Sequence, residues 1–92
     1  MDLTDYRNEI DAIDDELVTL FCRRMEVSAS IAQYKKANNL PICLPVREAA
    51  KLAEVAKKSG PEMACYAEDL YRTLFTLSKR YQESCISSLS EP

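Results

Sequence analysis

The stretch DYRNEIDAIDDELVTLFCRRMEVSASIAQYKK, from Asp5 to Lys36, contains no Gly or Pro and decides the fold. Its apolar residues Ile10, Ile13, Leu17, Leu20, Val27, Ile31 and Tyr34 step by threes and fours, the spacing of one amphipathic helix with a continuous buried stripe. One step breaks the pattern. Position 24, where an apolar residue is due, is Arg24, and at about 100° per residue it points within roughly 20° of Leu17, the middle of the stripe. Lys35 points the same way, and Arg7 sits near the stripe's edge, one turn before Ile10. A helix with permanent cations on its core face is either snorkelling them to solvent or offering them to an anion.

Working outward, the 92 residues hold one domain, and 47% apolar with 29% charged residues describes a globular chain rather than a disordered one. The helix would be roughly 45 Å long, whereas a compact chain of this length has a radius of gyration of about 12 Å. It would overhang its own monomer. A second copy covering the overhang is the economical remedy, so a homodimer is expected, as it is for a small core that is marginal alone. The net charge of -3 and the absence of a basic run argue against a nucleic-acid partner. No long apolar run and no signal peptide are present, so the expected setting is the cytoplasm, with no membrane partner. Cys22, Cys43, Cys65 and Cys85 are widely spaced and there is no His, so they read as reduced, half-buried thiols rather than metal ligands. The lack of His also removes the usual general base and every Ser/His or Cys/His nucleophile arrangement.

Asp2 or Thr4 can cap the first helix, with Asp5 in its first turn. Acidic residues fill its first half, and Arg23, Arg24, Lys35 and Lys36 its second. That gradient suits the helix dipole; it is either a solvated face or a means for two copies to lie antiparallel. Asn38 and Asn39 end the helix, and Leu40 to Leu44 with Pro41 form a short extended loop. A second helix starts at Pro45 and runs to about Lys58, stopped by Ser59, Gly60 and Pro61. Its apolar face is Leu52, Val55 and Ala56; Glu48 falls on that face and either looks inward or serves the helix dipole. A third helix begins near Pro61 or Glu62 and continues to about Ile86, with Met63, Ala67, Leu70, Leu74, Leu77, Tyr81 and Cys85 as its stripe. Ser78 and Gln82 lie one turn apart along the edge of that stripe. The fold class is therefore all-α: a long first helix, a short second and a medium third, in one domain over 1–86 with a frayed polar tail over 87–92.

The inward or edge polar residues are Arg7, Arg24, Lys35, Glu48, Ser78 and Gln82, with Arg47 beside them. Cations outnumber the single carboxylate, and burying them unpaired would cost several kcal/mol per ion. Such a pocket calls for an anionic ligand, and one with two carboxylates suits the bidentate fork of Arg. With no evident nucleophile or base, it fits either a binding module or a reaction that needs only orientation and electrostatic stabilisation.

The series Arg7, Ile10, Ile13, Asp14, Leu17, Arg24, Ile31 and Lys35, then Pro41, Pro45, Arg47 and Glu48, then Tyr71, Arg72, Ser78 and Gln82, resembles the chorismate mutases of the all-helical class. The likeness runs from Leu3 to Gln82 in order and spacing. It implies an isomerase of aromatic amino acid biosynthesis that converts chorismate to prephenate by an intramolecular Claisen rearrangement, with no cofactor and no metal. It further implies an intertwined homodimer in which Arg7 is donated to the partner's site. By the same resemblance Arg24 grips a substrate carboxylate from within the chain, and Lys35 and Gln82 hydrogen-bond the ether oxygen. Glu48 receives the ring hydroxyl, while Arg47 and Ser78 support the carboxylate end and the pocket wall.

One position departs from the pattern: many relatives have Asp immediately before the proline of the second helix, where this chain has Leu44. The side-chain cap and its contact near the substrate are lost, although the backbone amide of Leu44 can still serve. Two other readings share the fold. An isochorismate pyruvate lyase has the same cationic clamp but resembles this chain less at Glu48 and Ser78. A non-catalytic helical dimerisation or ligand-sensing module would keep the pocket without turnover, and Leu44 is the feature that favours it.

Overall fold

A computed structural model of the chain describes residues 1–90, with side chains through Ser87. The described residues form three α-helices and no strand: α1 Leu3–Ala37, α2 Pro45–Ser59 and α3 Ala64–Ser90. The fold class is all-α, as the periodicity indicates.

The start of α1 is set by a reciprocal cap. Asp2, rather than Thr4, is the N-cap: its Oδ1 accepts from the Asp5 amide at 3.0 Å, and Asp5 Oδ2 accepts from the Asp2 amide at 3.1 Å. Two otherwise orphaned donors are satisfied at once. At the other end the Asn38 amide and its Nδ2 both donate to the Tyr34 carbonyl, at 3.1 and 2.9 Å. Asn39 takes φ 56°, the left-handed conformation that short polar side chains tolerate.

The loop to α2 is pinned from α1 by Lys35, whose Nζ donates to the Ile42 carbonyl at 2.8 Å. Pro45 opens α2 behind Leu44, an N-cap with no side-chain acceptor for the first-turn amides. Gly60, at φ 86°, ends α2 in a conformation that favours glycine. Its carbonyl accepts from the amides of Met63 and Ala64 at 3.2 and 2.9 Å, so residues 61–63 make a turn and α3 begins at Ala64, slightly later than the expected start near Pro61 or Glu62. At its far end α3 runs to Ser90, beyond the expected end near Ile86; Glu91 and Pro92 of the expected tail lie outside the described residues.

Both α1 and α2 pack on α3, and among the described residues they do not pack on each other. Because α3 carries a neighbour on two sides, its covered sector is turned away from the sequence-predicted stripe. Met63, Leu70 and Tyr81 are exposed, while Ser78 and Gln82, expected at the edge, are among the buried residues. Tyr71 and Phe75 meet edge to face in this sector, centroids 6.2 Å apart.

The stripe of α1 is the larger correction. Ile10, Ile13, Leu17, Leu20, Val27, Ile31 and Tyr34 are all exposed in the single chain, from 41% at Ile31 to 65% at Tyr34. The reason is geometric: a helix of 35 residues is about 52 Å long, and α3 covers only part of it. The chain measures 56 × 29 × 14 Å with a radius of gyration of 16.6 Å, well above the compact value of about 12 Å. The cysteines follow suit, since Cys22, Cys43 and Cys65 are exposed and only Cys85 is half-buried, all four with free thiols.

Candidate functional site

A cavity of about 330 Å³ opens where α1, the loop after it, α2 and α3 converge. From α1 it takes Arg24, Val27, Ser28, Ile31 and Lys35, which step by threes and fours and so share one face. Ile42 and Leu44 come from the loop, Arg47, Glu48 and Lys51 from the first turns of α2, and Phe75, Ser78, Lys79 and Gln82 from α3. Seven of the eight site residues singled out in the sequence (Arg24, Lys35, Leu44, Arg47, Glu48, Ser78 and Gln82) thus line one wall or another.

Arg7 is not among them. It lies about 25 Å along α1 from Arg24, at 1.5 Å per residue, and is exposed on the overhanging half of the helix. No rotamer of Arg7 reaches the cavity of its own chain.

The charges in the cavity are of two kinds. Lys79 Nζ lies 3.2 Å from Glu48 Oε2 and 3.5 Å from Oε1, joining α3 to α2. The hydrogen bond to Glu48 holds the Lys79 ammonium above its usual pKa, against the pull of burial, and Cys43 Sγ lies 3.9 Å from the same nitrogen. Lys51 is paired with Glu54 at 3.0 Å, and Lys58 reaches the other oxygen of that carboxylate at 2.7 Å. Hydrogen bonds from Lys58 and Lys51 pull Glu54 down to about 2. No ion pair joins Arg24, Lys35 or Arg47 to a carboxylate among the described residues, and these are the cations whose fields point into the cavity uncompensated. The uncapped amides at the start of α2, beside Leu44, add the positive end of a helix dipole on the same side.

The neutral wall is built from buried hydroxyls and one carboxamide. Ser28 Oγ and Ser78 Oγ lie 2.7 Å apart, and Gln82 Nε2 donates to Ser78 Oγ at 3.1 Å. Gln82 Oε1 is sealed from solvent and has no hydrogen-bond partner. Chemically, the arrangement can fix an anion by its charge and can offer ammonium and carboxamide groups to a polar atom between them. Among the described residues that line it, no nucleophile is in contact with a base.

Three lining residues carry polar chemistry that the sequence reading passed over: Ser28, Lys51 and Lys79. Ser28 had a signal, being one turn after Arg24 and seven residues before Lys35, on the face already marked by those cations. Lys79 had none, since its partner Glu48 is on another helix.

The family model described as chorismate mutase type II matches residues 6–83. Among curated proteins, a T-protein of Haemophilus influenzae is 40% identical over 68 residues, which cover 74% of this chain and 18% of that protein. A T-protein of Enterobacter agglomerans is 38% identical over 58 residues, 63% of this chain and 16% of its own length. The chain therefore spans less than a fifth of the length of these relatives. No solved structure matches it. With a family model matched across all three helices and the cavity between them, the chain belongs to the chorismate mutase type II family.

Proposed function

We propose that the chain is a chorismate mutase domain, an isomerase of aromatic amino acid biosynthesis that converts chorismate to prephenate. The observation that carries this reading is the convergence of Arg24, Lys35, Arg47 and Gln82 on one cavity that holds no nucleophile-base pair. The rearrangement is unimolecular. The ether carbon–oxygen bond breaks as a carbon–carbon bond forms within the same molecule, so no atom is gained or lost and no covalent partner is needed. What it requires is a compact conformer held in place and stabilisation of the charge that grows on the ether oxygen.

Arg24 grips one substrate carboxylate through its fork, and Arg47 supports the carboxylate end. Lys35 uses one of its three donors on Ile42, leaving two for the ether oxygen, which Gln82 approaches from α3. Glu48 keeps acceptor positions for the ring hydroxyl while Lys79 occupies others. Ser78 anchors the Gln82 carboxamide, and at Leu44 the backbone amide serves where a side-chain contact is missing.

The second carboxylate is assigned to Arg7 of another copy, in an intertwined homodimer. Arg7 lies too far along α1 to serve its own chain, and the apolar stripe on the same half of the helix is uncovered. The area agrees with this. The chain exposes 7184 Å², against about 5,400 Å² for a folded chain of this mass. The excess of about 1,800 Å² per chain amounts to about 3,600 Å² for two, within the range of obligate dimers. No described helix is long and apolar enough to cross a membrane, and the four free thiols support the cytoplasm as the proposed compartment.

The test is an assay of chorismate consumption with the product identified. Prephenate is the expected product. Pyruvate with a salicylate would assign the chain to the lyase reaction, and no turnover despite binding of a dicarboxylate transition-state analogue would leave it a sensor.

A further inference from the structure

Five of the described residues are buried, and three of these, Ser28, Ser78 and Gln82, are polar and bonded in series. The series crosses the seam between α1 and α3 and ends inside the cavity wall, where Gln82 Oε1 has no donor. Several other helical hydroxyls fold back on their own helix. Thr19, Ser30, Thr73 and Thr76 each donate to the carbonyl four residues earlier, the ordinary partner of such a group. Ser28 and Ser78 instead face each other across the seam at 2.7 Å.

We infer that Ser28 is a positioning residue for the Gln82 carboxamide, acting through Ser78; this rests on the reading of the cavity proposed above. Without Ser28, the Ser78 hydroxyl turns to the Leu74 carbonyl one turn back, and the carboxamide loses its anchor. Its terminal torsion is then broad and roughly two-fold. With Ser28 present, Ser78 Oγ is a fixed point. Because a hydroxyl both donates and accepts, it holds the carboxamide either with Nε2 on it, as observed, or turned by half a rotation with Oε1 accepting from it. An ether oxygen only accepts, so it selects the turned form, in which Nε2 is released from Ser78 and free to donate. Turning forfeits nothing at Oε1, which has no donor in the observed orientation and gains Ser78 in the other.

The test is a cycle of Ser28→Ala, Gln82→Ala and the double variant, with chorismate turnover measured alongside exchange of the Gln82 side-chain amide protons by NMR. Alanine favours a helix interior, so Ser28→Ala keeps the fold, which circular dichroism checks. Ser28→Ala should lower kcat about 3- to 10-fold with KM nearly unchanged, the loss of one hydrogen bond expressed in the transition state. It should change nothing further in the Gln82→Ala background, and it should speed exchange of the Gln82 amide protons. Equal losses in both backgrounds, a change in KM alone, or unaltered amide exchange would overturn the inference. A wild-type chain that leaves chorismate untouched sinks the proposed function instead, and the exchange comparison still decides the role of Ser28.

Discussion

Lys79 on α3 and Glu48 on α2 face each other at 3.2 Å in the wall of the cavity, a cross-helix ion pair with side chains 31% and 27% exposed. Its position ties the packing of α2 to the charge state of the site. The pair raises the Lys79 pKa above 10.5. A raised value in the folded state means that the contribution to stability is complete below 10.5 and lost as pH climbs through the folded pKa. Lys79→Met should therefore cost at most about 1 kcal/mol at neutral pH, given partial exposure and salt screening. Urea midpoints from pH 7 to 11 check this: the wild-type advantage should hold to about pH 10 and begin to decline at the alkaline end.

Arg24 and Gln82 approach the cavity from opposite helices, and each is assigned a group that gains from being fixed before the reaction begins. Arg24→Ala and Gln82→Ala should each lower kcat/KM about 10²- to 10³-fold, the usual cost of removing one preorganised donor. Thermal melts should show the fold intact. Full activity in Arg24→Ala would end the clamp reading.

Arg7 and Arg24 serve the same site from different chains in the proposed dimer. Arg7→Ala and Arg24→Ala are each expected to be inactive alone. After subunit exchange in an equal mixture, half of the dimers are mixed and each has one intact site, so about a quarter of wild-type activity should return. No recovery would mean that the site is not shared.

Leu44 leaves the first-turn amides of α2 without a side-chain acceptor. Leu44→Asp should supply one and raise stability by about 0.5 to 2 kcal/mol. Denaturant midpoints of the two proteins measure it. An unchanged midpoint would show that those amides are already satisfied.

Much of the fold is legible in the sequence because its punctuation is local. Asn39, Pro45 and Gly60 each impose a backbone conformation that no neighbour overrides, and α1 and α2 end within a residue or two of where those residues place the breaks. Arg24 and Lys35 are legible for a related reason: a cation that interrupts an apolar period marks its own direction. What the sequence leaves hidden depends on neighbours. A 3.6-residue period marks a stripe but not what covers it, so the face of α1 reads as buried although one chain leaves it bare. On α3 the same period cannot tell that two helices flank it, and Ser78 and Gln82 read as marginal when they are enclosed. Ser28 and Lys79 owe their surroundings to partners 50 and 31 residues away in sequence.

Ala32 and Val55 are the only apolar side chains buried among the described residues. A chain with so little interior of its own gains little free energy by folding in isolation. In the proposed dimer a second copy covers the bare face of α1, and folding and assembly are then a single equilibrium governed by mass action. Dilution then acts as a denaturant: the melting temperature should climb with protein concentration, and the cell's expression level becomes one of the determinants of whether the molecule is folded at all.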